Sequence, residues 1–193
     1  MSKSHIFILS GPSGVGKNTI LKLILQNHSE FQKPINYTTR SPRDGEVDGV
    51  DHFFNTPKSS FPEMLKEGEL IEYVEFAGEF YGTSKTQLEE SIKANKSICA
   101  EMEVDGALKV KQAFSDKTTL IFIMPPSVEA LKSRLDSRHS ETKQQIAKRL
   151  DRVDYEINIG KDQFDYQVIN PDDHPEKAVA EIEAIIAKTI NSN

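Results

Sequence analysis

Gly11-Pro12-Ser13-Gly14-Val15-Gly16-Lys17-Asn18 has the G-x-x-x-x-G-K spacing of a loop that wraps phosphate. Glycines let successive backbone N–H groups turn toward phosphate oxygens, a following helix adds its positive end, and Lys17 brings a point charge suited to β and γ phosphates. Ser or Thr usually follows this lysine and places a hydroxyl on Mg2+, but here the residue is Asn18. An amide oxygen also ligates hard cations, with a longer reach, so Asn18 is one candidate ligand; the alternative is a Mg2+ held mainly by nucleotide oxygens and waters. Thr19 is placed to meet the α phosphate. Two groups of arginines offer further phosphate chemistry. Arg40 and Arg43 lie in the turn-prone Thr38-Thr39-Arg40-Ser41-Pro42-Arg43, where they can grip a phosphate from two sides or form a solvated surface pair. Arg134 and Arg138 share a helix face at i,i+4, with Arg149 on the next helical segment; Asp136, Glu141 and Asp151 are available as ordinary ion-pair partners.

These side chains need a scaffold, and the hydrophobic pattern supplies one. His5 to Ser10 reads as a short strand, the Gly-rich turn follows, and Lys17 to Asn27 carries apolar residues at helical spacing. Apolar runs at Ser97 to Met102, Thr118 to Met124 and Tyr166 to Ile169 alternate with helical patterns at Val104 to Phe114, Ser127 to Leu135 and Pro175 to Ile190. That alternation predicts a parallel sheet with helices on both faces. Residues 36–84 break the pattern with aromatic-rich runs at Asp51 to Phe54, Leu70 to Phe76 and Phe80 to Thr83, which predict a small, mostly antiparallel insertion. Residues 127–159 are charged, helical and poor in large apolar side chains, as expected of a covering lid. The expected arrangement is a single domain over 1–193: a core of 1–35, 85–126 and 160–193, an insertion of 36–84 and a lid of 127–159.

Composition narrows the partners. Twenty-four Lys plus Arg against 30 Asp plus Glu give a net charge of −6, which argues against a nucleic-acid coat or a polybasic membrane anchor. A single cysteine, Cys99, excludes a disulfide framework and suggests a reducing compartment; it lies in an apolar run and reads as core. The five histidines have no zinc-type spacing. The start, MSKSHIFILSG, is too short in apolar residues for a signal peptide or a membrane span, so a cytoplasmic protein is expected. Ala178, Ile182, Ile185 and Ile186 lie on one face of a C-terminal packing helix.

Three strings extend the pattern: TTRSPRDGEVDGVDHFF, then LIEYVEFAGEFYGTSK, then MPPSVEALKSRL with Arg149-Leu150 beyond it. In this order, from Ile6 to about Asn170, the chain closely resembles guanylate kinases, nucleoside monophosphate kinases that phosphorylate GMP with ATP. The resemblance implies a P-loop kinase core whose insertion binds GMP, with ATP and GMP or dGMP as substrates and Mg2+ as cofactor. It implies that Arg40, Arg43 and Tyr81 hold the GMP phosphate and that Glu72 and Thr83 read guanine. A carboxylate can accept from both N1–H and the exocyclic amine, a donor pair adenine lacks, and a hydroxyl can donate to O6. Alone, Glu72 would read as a solvent-facing strand residue.

Asn36 and His52 stand where the family usually has Ser and Tyr near GMP; His52 is shorter than Tyr and can change charge, so GMP phosphate binding is expected to be weaker or more pH-dependent. Glu101-Met102-Glu103-Val104-Asp105-Gly106 matches a family L-D-I-D-x-Q-G segment, with both Asp replaced by Glu and Gln by Asp. Glu103 is expected to help read guanine, and Glu101 to approach the Mg2+ shell through water or the arginine network. Arg134, Arg138 and Arg149 resemble the arginines that close over the transferring phosphoryl group, and Asn170 the residue near adenine. The rival reading is a guanylate-kinase-like phosphopeptide-binding module, to which Asn18 and the Asp-to-Glu changes point. A third is a kinase of another phosphorylated acceptor. Intact Lys17 and the full arginine set favour the kinase, and Glu72, Tyr81 and Thr83 favour guanine. Either a monomer or a homodimer is compatible with the chain.

Overall fold

The computed structural model describes residues 4–76, 78–127, 129–131, 143–171 and 174–192, with the side chains of 76, 143–151 and 192 left aside. Strand β1 (Ile6–Ser10) is flanked by β6 (Ile98–Glu101) and β7 (Thr118–Met124), and β8 (Tyr166–Ile169) completes a four-stranded sheet of order β6-β1-β7-β8. All of its pairings are parallel. Side chains alternate across β1 with the period of two that a strand imposes. Phe7 and Leu9 join α1 (Lys17–Asn27) and the C-terminal helix α6 (Pro175–Ser192) in one core. Ile6 and Ile8 point the other way, toward Leu88 of α3 (Lys85–Lys93) and Val104, Ala107 and Val110 of α4 (Val104–Ala113). Both faces are therefore buried, which is why β1 reads as a continuous apolar run.

The insertion forms a second sheet from β2 (Asn36–Thr38), β3 (His52–Phe53), β4 (Leu70–Phe76) and β5 (Glu79–Ser84), in the order β3-β2-β5-β4. The β2–β5 and β4–β5 pairs are antiparallel and β2–β3 is parallel. It also contains a helix absent from the sequence reading, α2 (Ser60–Lys66). At seven residues α2 shows too little periodicity to declare itself; Phe61 anchors it, fully buried against Tyr73 and Phe80.

Ser127 caps the segment after β7, its hydroxyl accepting from the Ala130 N–H at 3.0 Å, and Leu131 is fully buried. The next described helix, α5 (Lys143–Gln163), runs without a break across residue 159, where the sequence reading placed the edge of the covering segment. One face of its C-terminal half packs on the core: Val153 is buried, and Gly160 lies so close to β7 that a Cβ there would fall 2.3 Å from the Phe122 ring. No helix among the described residues is long and apolar enough to cross a membrane.

Cys99 is buried, and desolvation pushes its thiol up to about 12, so it packs as a small hydrophobe. His5 is likewise a core residue, its Nε2 2.8 Å from the Thr119 hydroxyl. Burial, with help from the Lys111 charge, lowers its pKa to about 4. Between pH 6.5 and 4 the unfolded chain therefore binds a proton at His5 that the folded one refuses, and stability falls as pH falls through that window. The expected result is that His5→Gln shows a shallower loss of Tm than the parent chain from pH 6.5 to 4, with parallel curves above pH 7. Curves parallel throughout would refute the assignment.

Candidate functional site

The turn after β1 owes its shape to residues that tolerate a left-handed backbone. Gly14 and Gly16 have φ of 87° and 101°, and Gly16 hands the chain directly to α1. Gly16 has a second reason to lack a side chain: a Cβ there would lie 2.6 Å from Asn170 Nδ2. That amide donates to the Val15 carbonyl at 2.7 Å, while the Asn170 backbone N–H donates to Met124 O at 2.8 Å. Asn170 is buried beneath the loop, and its side chain props the phosphate loop from below. The end of β8 is thus fastened to the loop after β1. Lys17 Nζ reaches back across the loop to the Gly11 and Pro12 carbonyls, at 2.6 and 3.3 Å. Gly11, Pro12 and Val15 shape the loop from behind, whereas Ser13, Gly14, Gly16, Lys17, Asn18 and Thr19 face a cavity of about 570 Å3.

The second sheet forms the opposite wall. Its register pairs Asn36 with His52 across β2–β3, Thr38 with Tyr81 across β2–β5, and Glu72 with Thr83 across β4–β5. Asn36, Arg40, Arg43, His52, Glu72, Tyr81 and Thr83 all line the cavity, and Glu101 and Glu103 close it from the end of β6. Fifteen of the residues singled out in the sequence thus meet in one cleft. Arg149 lies on α5 with its side chain outside the described set, and Arg134 and Arg138 lie outside the described residues.

Glu72 is the most enclosed of the cleft's ionisable groups, at 4% exposure. Burial raises its pKa; the Thr83 hydroxyl, donating at 2.6 Å, and the Lys109 charge oppose that rise. Room for it comes from Gly106 of α4, where a Cβ would stand 3.1 Å from the Glu72 carboxyl carbon. Glu101 is also raised by burial, against the pull of Lys17 and Lys33. The Asn18 carboxamide lies against it and, assigned with its nitrogen toward the carboxylate, donates to both Glu101 oxygens, one at 3.1 Å. Asn18 and Glu101 thus form a longer-armed pairing of P-loop and strand-end side chains, and their oxygens are of the hard type Mg2+ takes.

Arg40 is held by Glu46, its two terminal nitrogens 2.7 and 2.9 Å from the carboxylate oxygens, and stacks over Phe54 at 5.2 Å. Glu46 also accepts from the Arg43 N–H at 2.7 Å, and Arg40 with Arg43 draws its pKa down to about 2. Three buried polar atoms on this wall have no hydrogen-bond partner among the described residues: Asn36 Oδ1, Arg40 Nε and His52 Nδ1. Unpaired polar groups facing one cavity are what a polar ligand would satisfy. Burial and the Lys33 charge lower the His52 pKa, so its ring is neutral at neutral pH.

Sequence reasoning missed Lys33, Glu46, Val74 and Met102 on the cavity wall. Glu46 had a signal, since it sits in the same turn as both arginines. Lys33 had none. Its charge is felt by both His52 and Glu101, which no local pattern connects.

A family model described as guanylate kinase matches residues 3–189. The guanylate kinase of Oceanobacillus iheyensis is 41% identical over 184 residues, covering 95% of this chain and 87% of that protein. That of Synechocystis sp. is 44% identical over 170 residues, 88% and 87% of the two. Among solved structures, the guanylate kinase of Anaplasma phagocytophilum superposes with a TM-score of 0.72 at 28% identity, over 98% of this chain and 88% of that one. A phosphate loop on a parallel sheet, facing a carboxylate and a hydroxyl on a second sheet, is thus carried by a chain that belongs to the guanylate kinase family.

Proposed function

We propose that this protein transfers the γ-phosphoryl group of ATP to GMP, with ATP on the phosphate loop and GMP on the second sheet. The observation that carries the reading is the Glu72–Thr83 pair, a desolvated carboxylate with a hydroxyl 2.6 Å away, set in the wall opposite Lys17. The carboxylate accepts from guanine N1–H and the exocyclic amine, and the Thr83 hydroxyl turns to O6. Glu103 supplies a further acceptor. Adenine offers a lone pair where guanine offers N1–H, so AMP would leave Glu72 buried against an acceptor. Arg40, Arg43 and Tyr81 take the acceptor phosphate, which competes with Glu46 for the Arg40 fork. Because these groups grip base and phosphate, dGMP is accepted as well, and the transfer runs in both directions.

The acceptor oxygen of a nucleoside monophosphate is already ionised at neutral pH, so no general base is needed. The bond from γ-phosphorus to the β–γ bridging oxygen breaks as one forms to the GMP phosphate oxygen; the electron pair leaves on ADP. The barrier is alignment and charge repulsion, which Lys17 and the arginines lower. Asn18 and Glu101 would hold Mg2+, Glu101 through water; the bound cation supplies neutralisation of charge between the β and γ phosphates. The segment after β7 that carries Arg134, Arg138 and Arg149, ahead of the core-packed part of α5, acts as a lid that excludes water, since an open site would hydrolyse ATP.

Three measurements check this. ADP release from ATP, tested with GMP, dGMP, AMP, CMP and UMP, is expected with the two guanine nucleotides alone; no turnover on any acceptor, with phosphopeptide binding in its place, would remove the reading. Lys17→Ala is expected to abolish turnover to within about a thousandth of the parent rate. Gly106→Ala presses on Glu72 and is expected to raise KM for GMP about tenfold while leaving KM for ATP within about twofold. An equal rise in both would show that Glu72 does not face the acceptor base.

A further inference from the structure

Arg152 of α5 does not line the cavity, yet its side chain binds the group that does. Its Nε donates to Glu156 Oε1 at 3.1 Å, and its Nη2 lies 3.4 Å from Glu103 Oε2 and 3.6 Å from Asp105 Oδ2. Tyr155 adds a second tie, its hydroxyl donating to Asp105 Oδ1 at 2.7 Å. One exposed turn of α5 is thus laced to the N-terminal turn of α4, where Glu103 is the capping residue and Asp105 lies in the first turn. Glu156 is 4% exposed, and burial, then the neighbouring Glu103 charge, push it up to about 8.

We propose that Arg152 is a positioning residue for the acceptor base, holding the Glu103 carboxylate in place to accept from the exocyclic amine of guanine. The inference rests on the proposed reading of guanine by Glu103. The physical need is plain: Glu103 has one more methylene than the Asp of the family pattern and so one more free rotation. A guanidinium contacting it from outside the cleft removes that freedom. Asp105, standing where the family pattern has Gln, adds the charge that keeps Arg152 over the end of α4.

The test is a kinetic cycle on the whole protein with Arg152→Met, Arg152→Lys, Glu103→Ala and the double variant, using GMP and IMP, whose base lacks the amine. Arg152 is 48% exposed, so its variants keep the core intact, and a melting curve monitors that. The expected result is a rise of about tenfold in KM for GMP in Arg152→Met, with KM for ATP and for IMP unchanged. Arg152→Lys restores most of the loss, and Glu103→Ala with Arg152→Met is no worse than Glu103→Ala alone. The inference is overturned if Arg152→Met leaves KM for GMP unchanged while Glu103→Ala raises it, or if GMP, IMP and ATP are affected alike. If Glu103→Ala itself leaves KM for GMP unchanged, the base-reading role of Glu103 falls, a separate failure from that of Arg152.

Discussion

A carboxylate kept out of water at the seam between two sheets constrains this molecule more than any other single group. Glu72 is nearly enclosed, accepts from Thr83, and has Gly106 rather than a side chain above it. Such a group costs several kcal/mol unless something donates to it, so its neighbourhood has to be built around that demand. The β4–β5 register sets Thr83 opposite Glu72, and the packing of α4 requires Gly106. The cleft is where the remaining lone pairs of Glu72 can be met by a ligand with two adjacent N–H donors.

The other wall follows a different logic. There the donors are backbone and lysine, fixed by left-handed glycines and by Asn170 beneath them. Between the walls, carboxylates and cations are interleaved: Glu101 feels Lys17 and Lys33, Arg40 is held by Glu46, and Arg152 meets Glu103 and Glu156. In the cleft, then, a chain of net charge −6 holds Arg40 in place with Glu46 and Lys17 with loop carbonyls before an anion arrives. Preorganisation of this kind also explains how Glu can replace Asp at 101 and 103: each longer arm has acquired a tether.

Much of this was legible in the sequence, for identifiable reasons. β1 and β7 were readable because burial on both faces writes continuous apolar runs, α1 because its buried Ile20, Leu21 and Ile24 recur at helical spacing, and the loop because phosphate geometry demands glycine at set intervals. The pairing of Glu72 with Thr83 was reachable only through the family resemblance, since antiparallel register is invisible to local spacing. The support that Asn170 gives the phosphate loop was not legible, because its amide donates to a backbone carbonyl, that of Val15, 155 residues away. Lys33, Arg152 and α2 stayed hidden for a common reason: each depends on which elements the tertiary fold brings together.

The measurement that bears most directly on this account is the binding of GMP and of ATP, each alone, to Glu72→Gln by calorimetry. An amide at this position donates as well as accepts and carries no charge, so GMP affinity is expected to fall by about a hundredfold or more while ATP affinity stays within about twofold. GMP affinity equal to that of the parent protein would contradict the claim that a dry carboxylate at Glu72 selects the acceptor base.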